Sequence, residues 1–274
     1  MDDSANTAAT VRRFSNGASA PRWAEMYDSP TPVFEDANFR ARRDVTAEYV
    51  MRVVPPDGRV LDLGCGTAPV LSELRRHGLV CTGLELCPDM IERARARLRA
   101  MGLDDGDLHQ GDCRHTPFAD ESFDVVVCLG VISYVQAYGE VLREIERIVK
   151  PGGHVLVSFR NRFNPTLWDP YAALKALTRA ATGRAHPEPY VIGRFMDFRD
   201  VCAEMDACGL EYQAQFGIGF GPLRFRRRAL LPETASIRLS NGLAAVFGRI
   251  GWQAPSRWLA DVSLWAYRKP ASPG

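Results

Sequence analysis

From Arg59 onward the chain alternates short apolar runs with longer stretches of mixed polarity. Arg59-Val60-Leu61-Asp62-Leu63, Val80 to Leu84 and Phe123 to Leu129 are the short runs. The last is apolar almost throughout, the pattern of a strand buried on both faces of a parallel sheet. Leu108 to Gln110 gives a short third strand and His154 to Phe159 a fifth. The stretches between them, about Pro69 to His77, Pro88 to Met101 and Tyr138 to Val149, read as helices, the last closed by Lys150-Pro151-Gly152-Gly153. Strands alternating with helices predict an α/β fold, with a doubly wound, mostly parallel, seven-stranded sheet and helices on both faces.

The rest of the chain is less regular. Residues 1–20 are small and polar and are expected to be disordered. Residues 21–54 read as an N-terminal helical lid, broken at Ser29-Pro30-Thr31-Pro32 and ended by the turn Pro55-Pro56-Asp57-Gly58. Residues 55–160 hold the core. Residues 161–260 carry an inserted helical cap together with one helix of the core, Asp197 to Cys208, and one strand, Leu210 to Phe220. Residues 261–274 supply the final strand, Val262 to Arg268, and a tail.

Composition narrows the partners. The 274 residues carry 34 basic and 33 acidic side chains, a formal charge of +1. That near-neutrality predicts no nucleic-acid partner, since polyanion binding rests on basic excess. The seven cysteines are odd in number and form no CxxC pair, so neither a disulfide framework nor a zinc site is expected. They point to a reducing, cytoplasmic compartment. The first residues lack the apolar stretch of a signal peptide, and no run approaches a membrane span. The cluster Arg224 to Arg228 reads as a solvated face or as a docking patch for an acidic carrier or membrane surface.

The candidate chemistry begins at Asp62-Leu63-Gly64-Cys65-Gly66-Thr67, where an apolar strand enters a glycine turn and Pro69 opens a helix. Glycines let backbone N–H groups approach a ligand closely, and a helix N-terminus favours an anionic group. The turn alone would equally suit a dinucleotide fold. Glu85 closes the second strand, where a carboxylate can accept bonds from vicinal ribose hydroxyls. Gly111-Asp112-Cys113 follows the third strand, and Gly130 to Tyr134 follows the fourth.

These four segments in this order resemble the class I S-adenosylmethionine-dependent methyltransferases. The stretches GDCRHTPFADESFDVVVCLGVISYV and LREIERIVKPGGHVLVSF are similar to the small-molecule branch with ubiquinone- and menaquinone-type enzymes. The resemblance covers about residues 23 to 160. It implies S-adenosylmethionine as cofactor and S-adenosylhomocysteine as product. It places Asp62 near the methionine ammonium, and Gly64, Cys65 and Gly66 along the methionine part. It gives Glu85 the ribose, Leu86 and Met90 the adenine faces, and Asp112 and Cys113 the adenine edge. Leu129 and Gly130 fall beneath the sulfonium, and Trp23 and Tyr27 on a helix folded over the cofactor. Ala68 departs from the family, which often has a third glycine there.

What is methylated is less legible. In-line displacement from a sulfonium needs alignment and water exclusion, so a general base is optional. Tyr134 and His115 are the candidate catalytic residues. Tyr134, Arg160, Asn161, Trp168 and Tyr171 are the candidate substrate contacts, because ligands of open parallel sheets sit beyond the carboxyl ends of the strands. No acid closes the fourth strand, so no metal is expected. The acceptor is expected to be a small, largely apolar molecule, free or tethered to a carrier, methylated on O, N or C. A cyclase or decarboxylase built on the same cofactor site is the alternative, since fold does not fix function.

Overall fold

The computed structural model describes residues 25–28, 33–163, 193–221, 224–225, 228–249 and 257–271. A helical turn over 25–28 precedes α1 (Phe34–Val53). Then follow β1 (Arg59–Leu63), α2 (Pro69–Arg76), β2 (Val80–Glu85), α3 (Pro88–Ala100), β3 (Leu108–Gln110), β4 (Phe123–Leu129), α4 (Tyr138–Ile148) and β5 (Val149–Asn161). The second half contributes β6 (Phe195–Met196), α5 (Phe198–Ala207), β7 (Glu211–Ile218), the ribbon β8 (Arg224–Phe225) and β9 (Arg228–Ala229), α6 (Glu233–Arg249) and β10 (Val262–Arg268).

The sheet runs β3-β2-β1-β4-β5-β10-β7, with the two-residue β6 paired to the end of β5 as an eighth strand. β1 to β5 pair in parallel, and β10 lies antiparallel to both β5 and β7. The architecture is the expected mixed α/β one. The strands are apolar because both faces are covered. Leu61, Leu63, Val126 and Val157 pack on one side with Val141 and Ile145 of α4 and Val201 and Met205 of α5. Val60, Val125, Val127 and Leu156 pack on the other with α1, α2 and α3, through Val50, Leu74 and Ala94 among others. Period-two alternation thus feeds two cores.

The chain moves outward from β1 through β2 to β3, then returns to the other side of β1 with β4. That reversal opens a crevice beyond the carboxyl ends of β1 and β4, the place where such sheets bind ligands.

Two differences from the sequence reading have local causes. β5 begins at Val149, not His154. Lys150 to Gly153 form an irregularity within the strand, where Gly152 takes φ +79° and its carbonyl accepts from Arg268. The segment before the last strand holds a 17-residue helix, α6, which packs on α1 and β7; Ser240 Oγ accepts from the Phe220 backbone N–H. Trp258 packs on Phe163 and on Phe198 at the start of α5. Residues 164–192, with Trp168 and Tyr171, and residues 1–24, with Trp23, lie outside the described residues. Among the described residues no helix is long and apolar enough to cross a membrane.

Candidate functional site

The turn after β1 is built to bend sharply under the next layer. Gly64 sits at φ +78°, and a Cβ there would be driven into Val131 Cγ2, so only glycine fits on two counts. The Gly64 and Cys65 N–H groups both donate to Leu84 O, at 2.7 and 3.0 Å, tying the turn to β2. Gly66 (φ +54°) has open space where a side chain would project, and its N–H donates to Glu85 Oε2 at 3.0 Å. The Cys87 N–H donates to the other oxygen, Oε1, at 2.9 Å. Glu85 is thus held between the glycine turn and the start of α3. Ala68 adopts the left-handed conformation (φ 59°) at the N-cap of α2, fully buried, so the family's third-glycine position keeps the glycine-like backbone despite its methyl group.

These elements line a cavity of about 950 Å³, its open mouth included. Tyr27, Gly64, Cys65, Gly66 and Glu85 line it. Leu86, Met90 and Cys113 add apolar surface, and Leu129, Gly130 and Tyr134 also line it. Of the described residues expected at the cofactor, Asp62 and Asp112 are not in the lining. Asp62 is buried within electrostatic reach of Glu85 and Arg42, which do line it. Asp112 places its carboxylate on Arg114, with Nη2 at 2.6 Å and the Arg114 backbone N–H at 2.9 Å; the neighbouring Gly111 and Cys113 line the wall.

The electrostatics favour a cation. Burial, with Glu85 nearby, pushes the Asp62 carboxyl up to about 7; Arg42 and the Leu71 backbone N–H offset only part of this. Burial also raises Glu85, against the N–H groups of Cys87, Gly66 and Leu86. Two buried carboxyls reluctant to ionise would be relieved by a positive ligand group. Burial opposes the Asp112 charge, yet the Arg114 side chain and backbone N–H outweigh it and hold that carboxyl below the ordinary range. Burial keeps Cys65 well above the ordinary thiol range and pushes Cys113 up to about 12, so neither is a thiolate nucleophile.

A second cavity, about 720 Å³ with its mouth, adjoins the first through Arg42, Leu129, Gly130 and Tyr134. Arg160 lines it, its guanidinium 3.7 Å from Asp261 and over the Phe195 ring. Two of the expected contacts lie outside both cavities. Asn161 faces neither cavity: its fully buried amide donates to the carbonyls of Arg257 (2.7 Å) and Ala260 (3.2 Å) and accepts from the Phe163 N–H (3.1 Å). It ties the end of β5 to the approach of β10. His115 sits on an exposed turn bridged to Asp112, outside both cavities. Tyr134 does lie at the junction. Burial pushes its phenol up to about 12 against Arg42 and Arg160, so it stays a proton donor.

Arg42 was not anticipated. It is 7% exposed, bonds the Tyr27 hydroxyl and lies over the Phe39 ring. The 25–28 turn is also clamped to α3 by Asp28, whose Oδ1 accepts from Arg97 Nη1 at 2.8 Å. The signal in the sequence is a stripe on α1: Asn38, Arg42 and Thr46, four apart, are all buried. Read alone, such a stripe looks like a solvated face.

A doubly wound sheet with this turn, this acidic strand end and this crevice is the class I S-adenosylmethionine-dependent methyltransferase fold. Residues 61–157 match the family described as methyltransferase domain. Phosphatidylethanolamine N-methyltransferase of Cereibacter sphaeroides is 35% identical over 140 residues, 51% of this chain and 64% of that protein. Demethylmenaquinone methyltransferase of Tropheryma whipplei is 27% identical over 77% of this chain and 90% of its own. The chain spans 29–64% of the length of the first curated relatives it matches. Among solved structures, geranyl diphosphate C-methyltransferase from Streptomyces coelicolor A3(2), in complex with Mg2+, geranyl diphosphate and S-adenosyl-L-homocysteine, superposes with a TM-score of 0.58. It is 15% identical, over 96% of this chain and 98% of that one. The chain carries a class I methyltransferase domain, and S-adenosylmethionine is the cofactor of that domain.

Proposed function

We propose that the protein transfers a methyl group from S-adenosylmethionine to O, N or C of a small, largely apolar acceptor, without a metal. The observation that carries this is the pairing of two adjoining cavities around Tyr134, one polar at its glycine turn and one beyond the β4 end. The first cavity fits the cofactor on its own terms. The space at Gly66 leaves backbone exposed to a ligand, Glu85 is fixed for a diol, and Asp62 would gain from a cation.

When bound, S-adenosylmethionine supplies a methyl group already activated on a sulfonium. Glu85 would accept from the ribose hydroxyls. Leu86 and Met90 would flank the adenine, with Asp112 and Cys113 at its edge. Gly64 to Gly66 would follow the methionine part, with Asp62 answering its ammonium and Leu129 and Gly130 beneath the reacting centre. Tyr27 and Arg42 would shut out water from above, in keeping with the buried Tyr27 and the Asp28–Arg97 clamp; residues 21–54 then act as the lid. Tyr134, neutral and wedged between the cavities, would hold a proton on its oxygen and orient the acceptor by hydrogen bonding. Arg160, on the lining of the second cavity, would reach the acceptor. All seven cysteines are free, which suits a reducing cytoplasm.

Methyl-labelled S-adenosylmethionine with a fractionated extract tests this. The reading expects label in the organic-soluble, small-molecule fraction. Label confined to protein or nucleic acid, or none transferred, would overturn it.

A further inference from the structure

Gly193 is buried just ahead of β6. Its backbone angle is one that any residue adopts, so conformation does not call for glycine there. Space does. A Cβ at 193 would stand 2.9 Å from Ser133 Cβ, 3.0 Å from Tyr134 Cζ and 3.2 Å from Tyr134 Cε1. Ser133 Cβ is fixed to its own backbone and cannot swing aside. Position 193 is held as firmly from the other side. The Arg194 backbone N–H donates to Ser133 O at 2.8 Å, and Arg194 Nη2 donates to Val135 O at 3.1 Å. Phe195 and Met196 then pair with Arg160 and Asn161 at the end of β5. The bare backbone of Gly193 thus lies against the phenol end of Tyr134, a side chain on the lining of both cavities. Gly193 itself lines neither cavity.

We infer that Gly193 is a positioning residue for methyl transfer, which holds the Tyr134 hydroxyl at the junction of the two cavities. This rests on the reading of Tyr134 as the group that orients the acceptor. Two contacts hold it. The absent side chain lets the ring settle against the backbone at 193, and the Gly193 N–H donates to the phenol oxygen. An oxygen that accepts from a backbone N–H turns its own proton toward a different partner. An alanine at 193 would press on the ring and on Ser133 together, and the tether through Arg194 leaves the Ser133–Tyr134 loop to give way. The hydroxyl would move with it, and a small misplacement of an orienting group is costly in rate.

A double-mutant cycle of Gly193→Ala and Tyr134→Phe tests this. Turnover is followed with methyl-labelled S-adenosylmethionine and an organic-soluble extract as the acceptor source. Gly193→Ala is expected to lower turnover about tenfold in the wild-type background, the worth of one oriented hydrogen bond, and less than about twofold in Tyr134→Phe, where that bond is already gone. A merely structural role would give the same loss in both backgrounds. S-adenosylhomocysteine affinity should stay within about twofold in Gly193→Ala, because Gly193 lines neither cavity. A second readout needs no turnover. In protein labelled with 13C at tyrosine Cζ, the Tyr134 resonance is the one that Tyr134→Phe removes, and Gly193→Ala should move it more than any other tyrosine resonance. If Gly193→Ala does not fold, Ser133→Gly/Gly193→Ala removes the fixed clash and is compared with Ser133→Gly alone. Equal losses in the two backgrounds, wild-type turnover in Gly193→Ala, or an unmoved Tyr134 resonance would each overturn the inference. No label transferred by the wild type would remove the reading of function, and the resonance would still decide whether Gly193 places Tyr134.

Discussion

Asp62 makes the site a pH-dependent receptor for a cation. Its carboxyl titrates at about 7 in the folded chain, against 3.8 for an ordinary aspartate. The free protein therefore keeps a proton there that the unfolded chain would release. Stability from this group is full below the unfolded value and is lost as pH rises through 7. A ligand ammonium placed near Asp62 favours the opposite state, the carboxylate. At pH 6 about one Asp62 in ten is ionised, and at pH 8 about nine in ten. A ligand that needs the carboxylate then binds about tenfold tighter at pH 8 than at pH 6, or about 1.4 kcal/mol. Calorimetry of S-adenosylhomocysteine at the two pH values, in buffers of different ionisation enthalpy, reads both the affinity and the proton released. Asp62→Asn should flatten the profile. Glu85→Gln should move its midpoint to lower pH, because Glu85 is the second cause of the upward shift. A flat profile in the wild type, or the same slope in Asp62→Asn, would refute this reasoning.

Other expectations follow from single residues. Gly64→Ala should destabilise the fold by roughly 3 kcal/mol, combining a left-handed alanine with a clash on Val131, and Val131→Ala should restore part of the loss; urea unfolding of the single and double variants checks this. Tyr134→Phe should leave S-adenosylhomocysteine affinity within about twofold but lower turnover about tenfold, the loss of one oriented hydrogen bond. Its pH–rate profile between 6 and 10 should match the wild type, because the phenol does not titrate there; a wild-type limb missing in the variant would contradict a neutral Tyr134. Turnover should persist in excess EDTA, and loss on chelation with recovery on adding magnesium would reveal a metal step.

How much of this was readable in the sequence depends on where each side chain points. Strands β1, β2 and β4 were legible almost to the residue, because burial on both faces leaves uninterrupted apolar runs. The glycine turn was legible because positive φ narrows the choice of residue. Arg42 was not, since a polar stripe on α1 that faces inward has the same spacing as one that faces water. Asn161 misled for the converse reason. A polar residue at a strand end suggested a ligand contact, but two carbonyls of the returning chain claim its amide. The helix α6 was hidden by polar residues on a segment that packs at the sheet's edge rather than in its centre.

The central claim is that the cavity between the Gly64 turn and Glu85 holds S-adenosylmethionine. Calorimetric titration of S-adenosylhomocysteine into the wild type and into Glu85→Ala tests it most directly. The account predicts one site per chain in the wild type, weakened by about 1–3 kcal/mol in the variant as two charge-assisted hydrogen bonds to the ribose are lost. No binding to the wild type, or an unchanged dissociation constant in a folded Glu85→Ala protein, would contradict it.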